Sequence, residues 1–399
     1  MDTFWSDLLQ LNNEVRERFL NLERRIRKNE VISGFYEGIY QGICDDPDYF
    51  SGIPEFDKKK SRYAKHVRGS VDSVKTCSRW FDIDYYPFQG VKDLKHTYSC
   101  NNKFCDGCQS KLAQQRYEKF APVIECLQKT YDVAHIVITV PNCKPHELPY
   151  VVPHMFECRK YLMRYLNGSK RVRGVNFDKY GFQGGVSALE ITRNEENGTY
   201  HPHFHCAFVF KKRSGAFAHG KYVNSYSFDH GDKVHLFNEF EILLQKVWFL
   251  RINGIEVNYS NIQELKEGYD VFCERRDNFH EVFKYATKGV IKYDKDVQRV
   301  LGRYVDFVFL DYTLYSRRLI QAYGILRGIP VPDEVDQSSE GDLIYEKFIE
   351  RLRSLETPIE QRELLESLLE EQKSDDIKYI SRHNVKALLG DTESPCFEQ

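Results

Sequence analysis

Apolar residues recur at helical spacing near the start of this chain. Within residues 1–30 they are separated mainly by Glu and Arg, at Leu8, Leu9, Leu11, Val15, Phe19, Leu22 and Ile26. A stripe of this kind predicts an amphipathic helix, because residues three and four apart share one face. The next segment, 45–70, contains Pro, Gly and a run of basic residues, which predicts a loop or linker.

The middle of the chain shows short, strongly apolar segments that predict strands. One covers 135–140 and stops at Pro141, a second covers 186–192 and stops at a turn over 194–198, and a third begins near His203. Helical patterns lie around these segments, at 109–129, 152–166, 236–250 and 278–288, and a charge-rich one at 342–372.

Three histidines alternate along the third of these segments, at His201, His203 and His205. Successive side chains of a strand point to opposite faces, so these three imidazoles point the same way. Imidazoles are costly to bury unless something binds them, and a divalent metal ion commonly does. The alternative is a polar strand end whose histidines bond to each other or to water.

Glu190 is the candidate third ligand. It is the only acidic residue inside the 186–192 segment, and the short turn over 194–198 predicts a hairpin that places it across from His203 or His205. Two imidazoles and a carboxylate with open coordination positions are typical of a catalytic metal site. The alternative is a surface acid on an edge strand.

The predicted helix over 278–288 carries a tyrosine outside its apolar stripe. Glu281, Tyr285 and Lys288 share a second face, so the phenol has a carboxylate one turn before it and an ammonium one turn after it. A phenol has a pKa of about 10, so a nucleophilic tyrosine needs a cation nearby. Lys284, Lys288 or the metal ion are the candidates, and an ordinary amphipathic helix is the alternative.

Cysteines cluster at Cys100, Cys105 and Cys108, with Cys77 upstream. The chain has eleven cysteines, an odd number, which favours thiols and metal ligands over a disulfide framework. Tetrahedral zinc takes four such ligands, and a Cys-x2-Cys pair supplies two of them. Cys77 is the best candidate for the fourth ligand and His96 is its competitor; unconnected thiols are the alternative.

Charge divides the chain into a basic body and an acidic tail. The formal net charge is −2, but residues 333–399 hold 18 acidic and 8 basic residues, so the first 332 residues carry an excess of positive charge. Basic clusters with interleaved aromatics lie at 58–68, 159–165 and 170–173, as a nucleic-acid surface requires. No apolar run could span a bilayer and no signal peptide is recognisable, which predicts a cytoplasmic protein with no membrane partner.

Together these motifs resemble the rolling-circle plasmid replication initiators of the HUH endonuclease superfamily, in the branch with one catalytic tyrosine. The resemblance covers about 77–295 in the same order. It rests on 139–142 as the first motif, 200–205 as the metal-binding motif, 284–288 with Glu281 as the tyrosine motif, and Cys77 with 101–108 as the cysteine segment. Asp106-Gly107 stands where a proline is common, and 109–111 lacks the usual Trp-Arg.

The resemblance implies a mechanism. His203, His205 and Glu190 hold Mn²⁺ or Mg²⁺, Tyr285 attacks the scissile phosphate, and a 5′-phosphotyrosyl link and a free 3′-hydroxyl primer result. Lys288, with Lys284, orients the phosphate, and Glu281 later activates water or a second hydroxyl. A structural Zn²⁺ is held by four cysteines: Cys77, Cys100, Cys105 and Cys108. The substrate is origin DNA, single-stranded or in a hairpin, and host helicase and polymerase are expected partners.

The expected organisation has four parts: an N-terminal helix and basic linker over 1–70, a zinc-binding segment over 71–118, the HUH nicking and joining domain over 119–332, and an acidic helical tail over 333–399. The resemblance implies an α+β fold for the domain, with a central antiparallel sheet flanked by helices and the histidines on its central strand, facing the tyrosine helix. The tail is a candidate for self-association. The rival functions are a relaxase or transposase of the same superfamily, and a non-catalytic, zinc-containing regulator that binds DNA.

Overall fold

The structure is a computed structural model of the chain. It describes residues 13–46, 48–77, 81–86, 91–97, 99–212, 228–230, 233–235, 237–266, 268–276, 278–283, 287–288, 291–294, 299–329, 331 and 377–380. In 13–23, 81–97, 228–235, 287–288, 293–301 and 377–380 this description covers the backbone only.

The fold is α+β, as predicted, and is centred on an antiparallel sheet with strand order β12-β4-β5-β3-β8. Its strands are β3 (Tyr131–Thr139), β4 (Phe182–Arg193), β5 (Tyr200–Lys211), β8 (Val271–Arg275) and β12 (Ile320–Gly324). The three predicted strands are therefore correct, and each is longer than its apolar run. The strand that carries the histidines, β5, is central, with β3 and β4 as its neighbours.

The turn over 194–198 joins β4 and β5 into the predicted hairpin. Gly198 has a φ of 69°, in the left-handed region that glycine adopts at no steric cost, and its amide donates to the Asn194 carbonyl. The resulting register pairs Glu190 with His203. Directly opposed residues of an antiparallel pair lie on the same face, so this turn fixes which side chains meet.

Helices cover both faces of the sheet. The helices are α1 (Asn13–Asp45), α2 (Phe56–Thr76), α3 (Asp106–Thr130), α4 (Leu148–Leu166), α5 (Glu239–Ile252), α6 (Tyr259–Glu264), α7 (His280–Phe283) and α8 (Tyr304–Leu314). One face contributes Ile136, Ile138 and Phe204 to the larger core, together with residues of α4, α5 and α8. The opposite face, which includes Ala188 and Ala207, packs against α3 and α7 in a second core.

The linker prediction for 45–70 is wrong from residue 56 onward, because α2 begins at Phe56 and runs to Thr76. The basic residues of this segment lie between apolar positions at Phe56, Tyr63, Val67 and Val74, which are buried. Helical spacing of these positions gives α2 one apolar face, and that face packs against α1 and α8. The predicted N-terminal helix is present from Asn13 as α1, which extends well beyond residue 30; residues 1–12 of the prediction lie outside the described residues.

The helix prediction for 278–288 is correct over 280–283 and wrong at 287–288, and residues 284–286 lie outside the described residues. The described helix α7 spans His280–Phe283, and Thr287–Lys288 forms a short strand, β9, parallel to the end of β4. β12 pairs with β4 only as far as Ala188. Beyond Leu189, β9 pairs with β4 instead, at Ile191 and Thr192. Sheet pairing thus overrides the helical pattern at 287–288.

Smaller sheets complete the described part of the chain. They contain β1 (Phe81–Tyr86), β2 (Val91–Thr97), β6 (Phe228–His230), β7 (Lys233–His235), β10 (Ile291–Asp294), β11 (Arg299–Gly302) and β13 (Ile377–Ile380). The acidic tail, 333–399, lies outside the described residues except for β13, which pairs with β1. The predicted helix at 342–372 therefore stays a prediction. No helix in the described residues is both long and apolar enough to span a membrane.

Candidate active site and cysteine cluster

Glu190, His203 and His205 converge on one face of the sheet. The Nε2 atoms of His203 and His205 are 3.1 Å apart, and they lie 3.4 Å and 2.8 Å from Oε2 of Glu190. Ligands held about 2.1 Å from a common ion at angles of 90–110° are about 3.0–3.4 Å apart. Two imidazole nitrogens and a carboxylate oxygen in this arrangement fit a divalent ion.

Hydrogen bonds fix the orientation of both imidazoles. Nδ1 of His203 lies 3.0 Å from the backbone oxygen of His201, and Nδ1 of His205 lies 3.0 Å from Nε2 of His135. In each ring one nitrogen is therefore engaged, while Nε2 points to the shared point. Such contacts hold the tautomer and direction of a metal-binding histidine.

The third histidine of the run, His201, lies outside this group. Its ring packs beside His203 with the centroids 5.0 Å apart, which agrees with the common face predicted for the three. Burial and the neighbouring His203 lower the pKa of His201 to about 4. The hydrogen-bond contact of His201 with the candidate metal ligands is made by its backbone oxygen, which contacts Nδ1 of His203, and not by its imidazole nitrogens.

Sequence reasoning missed His135. This residue lies on β3, diagonally across from His205, and its ring stacks on that of His205 with 5.2 Å between centroids. The pKa of His135 is lowered to about 3, mainly by burial and in addition by the charges of His205 and Arg276, while Glu281 acts in the opposite direction. The alternation in β3 could have placed His135 on the histidine face, but only the β3–β5 register shows which residue it meets.

Glu281 lies on the same side of the sheet as the histidines. Its helix, α7, packs through Phe279, Val282 and Phe283 into the core that also contains Ala188 and Ala207, the residues paired with His205 and His135. The ring of Phe283 stacks on Phe120 of α3 at 5.2 Å. The half-buried carboxylate of Glu281 is close enough to act on the pKa of His135.

The tyrosine motif is described only at its two ends. Lys284 and Tyr285 lie outside the described residues, as does the side chain of Lys288. On one side, Phe283 is buried against the histidine face of the sheet. On the other, the backbone of Lys288 pairs with Thr192, two residues beyond Glu190.

Four cysteines come together at the junction of α2 and α3. Cys77 follows the last residue of α2, Cys105 and Cys108 lie at the start of α3, and Cys100 lies in the preceding loop. Sγ of Cys77 is 3.7 Å from Sγ of Cys105 and 3.4 Å from that of Cys108; Cys100 and Cys108 are 3.7 Å apart. Zinc–sulfur bonds of about 2.3 Å in a tetrahedron place sulfurs about 3.8 Å apart, so this cluster could hold zinc.

The electrostatics of this cluster favour the thiolate form at Cys77 and Cys108 and the thiol form at Cys100. Hydrogen bonds from Cys100 lower the pKa of both Cys77 and Cys108, whereas hydrogen bonds to its three neighbours raise the pKa of Cys100. The competitor His96 lies on β2, and its side chain is outside the described residues. The ten described cysteines all carry free thiols, as the odd count and uneven spacing predict.

Comparison with known proteins assigns this chain to a family. A family model described as "Replication protein" matches residues 91–360, more than half of the chain. This chain therefore belongs to that family of replication proteins, and the resemblance to plasmid rolling-circle initiators is confirmed. The assignment to the branch with one tyrosine stays a prediction.

Similar curated proteins carry the same description. A "Protein rep" from Bacillus sp is 24% identical over 293 residues, which are 70% of this chain and 86% of the relative. A second, from Bacillus amyloliquefaciens, is 24% identical over 80% of this chain and 83% of the relative. A third, from Streptococcus pneumoniae serotype 2, is 21% identical over 64% of this chain and 70% of the relative. No solved structure matches the chain.

Proposed function

We propose that this replication protein initiates rolling-circle replication by nicking one strand of origin DNA through Tyr285. The observation that carries the proposal is the convergence of Glu190, His203 and His205 on the sheet face against which α7 packs. Phe283, before Tyr285, is buried against that face, and Thr287, after Tyr285, pairs with β4. The described ends of the tyrosine motif, on either side of Tyr285, therefore lie next to the strands that carry the candidate metal ligands, which supports Tyr285 as the nucleophile.

The reaction is a transesterification. A bond forms between the phenolic oxygen of Tyr285 and phosphorus, the bond to the 3′-oxygen breaks, and that oxygen takes up a proton to become the 3′-hydroxyl primer. Lys288 and Lys284 orient the phosphate. A divalent ion held by Glu190, His203 and His205 would polarise the phosphate and offset its developing charge; imidazole ligands favour Mn²⁺ over Mg²⁺ on affinity.

We assign to Glu281 the step that ends the reaction, in which the DNA strand is released from Tyr285. Its carboxylate acts as a general base on water or on the hydroxyl of a second strand, which then displaces the tyrosine. Its influence on His135 supports a location beside the candidate metal ligands. His135 itself touches neither the phosphate nor the ion in this scheme; it holds His205 in position.

Replacing Tyr285 with Phe tests the nucleophile. The Tyr285→Phe variant should form no covalent adduct with a labelled single-stranded origin oligonucleotide in Mn²⁺, because it lacks the phenolic oxygen. Its affinity for the same oligonucleotide should stay within about twofold of the parent. Tyr259→Phe, at an exposed tyrosine on α6, is the matched control and should form adducts normally.

Adducts are counted by gel shift after denaturation, and affinity by fluorescence anisotropy. Adduct formation by Tyr285→Phe at the parent level would remove Tyr285 from the mechanism. Absence of adducts and nicks with the parent protein on every origin substrate, supercoiled or single-stranded, would favour the non-catalytic regulator.

A further inference from the structure

A cleft of about 770 Å³ lies between α1, α2, the cysteine loop and the end of α8. Its volume is within the range of about 300–1,000 Å³ that small-molecule sites occupy. Its walls include Arg62 and Lys65 of α2, Asn101 of the cysteine loop, and Tyr315 beyond α8, and Asp311 is part of its floor. None of these residues takes part in the proposed nicking reaction.

Two positively charged side chains, those of Arg62 and Lys65, line the entrance of this cleft. Arg62 and Lys65 are three positions apart on the exposed side of α2. Within the described part of the chain neither makes an ion pair or a hydrogen bond, whereas Lys59 of the same helix pairs with Glu55. Two cations without a carboxylate partner at the entrance of a cleft suit the phosphate of a nucleotide.

The interior offers a ring and an acceptor. The ring of Tyr315 packs against His66 with 4.9 Å between centroids, and both rings line the cleft. The buried carboxylate of Asp311 accepts hydrogen bonds from Tyr36 and Tyr63 at 2.6 Å and 2.8 Å. A carboxylate has about four acceptor positions, so Asp311 can also accept from the amino edge of a base.

The wall formed by the cysteine loop is held in one conformation. Asn101 has a φ of 53° and Ser316, on the facing wall, has a φ of 58°, both in the left-handed region that is costly for residues other than glycine. Asn102 accepts a hydrogen bond from the amide of Phe104, and Lys103 donates to the carbonyl of Arg317 at 3.0 Å. This contact ties the loop to the chain segment after α8.

We infer that this cleft binds one nucleotide of a DNA strand, with the phosphate at Arg62 and Lys65 and the base beside Tyr315 and above Asp311. The inference rests on the proposed function, which makes DNA the substrate, and adds a second contact for that strand outside the nicking centre. A free mononucleotide shares the same chemistry, so the experiment includes it as a separate ligand.

Two glycines allow a matched test. Gly69 lines the cleft, and a Cβ built on it meets no atom within 4 Å; Gly34 of α1 has the same open surroundings but does not line the cleft. Both are helical and exposed, so Gly69→Leu and Gly34→Leu should fold equally well. Leucine at 69 fills part of the cleft and cannot stack on a base.

The variants are made in the Tyr285→Phe protein and studied without Mn²⁺, so that binding is measured apart from nicking. Anisotropy of a labelled single-stranded oligonucleotide is the readout. Gly69→Leu should weaken binding at least tenfold, and Gly34→Leu should leave it within twofold. The double variant Arg62→Ala with Lys65→Ala should lower the slope of log affinity against log salt concentration by about 1, because the contact with one phosphate is lost.

Lys58→Ala with Lys75→Ala removes the same charge from exposed positions of α2 outside the cleft, and should change the slope less. Equal binding by Gly69→Leu and Gly34→Leu would overturn the inference. The inference would also be overturned if Gly69→Leu lost binding of a labelled mononucleotide but kept its affinity for the oligonucleotide, since the cleft would then serve a free nucleotide. Neither result depends on adduct formation by Tyr285, so the two proposals can fail separately.

Discussion

At the scale of single residues, the candidate metal ligands depend on a histidine that does not contact the ion. His135 engages Nδ1 of His205, and His205 in turn presents Nε2 to Glu190 at 2.8 Å. Loss of such a supporting contact typically lowers metal affinity by about 10–100-fold. Positioning and ligation are therefore separable in this site by mutation.

The first prediction follows from that contact. His135→Phe should weaken Mn²⁺ binding by about tenfold or more, because His205 loses the partner that orients its ring. His135→Gln, whose side-chain amide can still bond to Nδ1, should recover part of the loss. Mn²⁺ titration by calorimetry measures both. Equal affinities in the parent and His135→Phe would show that the contact has no supporting role.

A second residue-scale prediction concerns the direct ligand from β4. Glu190→Gln keeps the size of the side chain but removes its charge, so Mn²⁺ affinity should fall by more than tenfold. Glu147→Gln, at an exposed acid outside the candidate group, is the control and should bind Mn²⁺ as the parent does. Unchanged affinity in Glu190→Gln would exclude the carboxylate from the site.

At the scale of elements, α3 connects the two candidate metal sites. It begins at the cysteine cluster with Cys105 and Cys108, and about two to four turns later Tyr117 and Phe120 contact His280 and Phe283 of α7. The helix continues through Pro122 without interruption in the structure. The cysteine cluster therefore anchors the helix against which the tyrosine-bearing segment packs.

Zinc removal tests this anchor. Cys108→Ser, or chelation of the parent, should lower the free energy of unfolding by more than ~2 kcal/mol, because a metal-bound cluster joins α2 to α3. Cys126→Ser is the matched control, since Cys126 lies exposed on the same helix. Denaturant midpoints and bound zinc are measured together. Equal midpoints for the two variants, with no zinc in the parent, would contradict a structural zinc site.

At the scale of the whole molecule, α8 joins the N-terminal helices to the sheet. Near its start, Asp306 accepts a hydrogen bond from Tyr200 of β5 and pairs with the buried Arg193 of β4 at 3.4 Å. Near its end, Asp311 accepts from Tyr36 of α1 and Tyr63 of α2. Burial raises the pKa of both phenols well above the usual value, so they remain hydrogen-bond donors.

Removal of the second acceptor should destabilise the molecule. Asp311→Ala leaves two buried hydroxyls without their carboxylate, and each such loss costs about 1–3 kcal/mol, so a decrease of about 2–5 kcal/mol in unfolding free energy is expected. Asp72→Ala, at an exposed acid of α2, should change it by less than ~0.5 kcal/mol. Urea unfolding compares the two. A smaller effect of Asp311→Ala than of Asp72→Ala would show that α8 is held by its apolar contacts alone.

Local pattern was sufficient for several features. The strand patterns of 186–192 and 201–210, with a short turn between them, predict the hairpin and place Glu190 across from His203 or His205, because of the two-residue period. The register of the structure selects His203. The spacing of Cys100, Cys105 and Cys108 predicts a thiol cluster, since a tight loop and one helical turn bring these residues together whatever the rest of the fold does.

Long-range pairing decided what local pattern did not. The segment 56–70 is wrongly predicted as a linker because its basic residues obscure a stripe of apolar residues. That stripe becomes buried only by packing against α1 and α8. Thr287 and Lys288 leave the helical pattern because a strand edge is free to pair with them.

The sequence by itself determined the chemistry of this protein: an acid and two histidines on adjacent strands, four cysteines near one helix start, and a tyrosine motif after them. The tertiary structure decided which distant residues serve those groups. His135 meets His205, Glu281 acts on His135, and Asp311 joins helices more than 240 residues apart in the chain. Contacts of this kind depend on packing between elements, which no local period encodes.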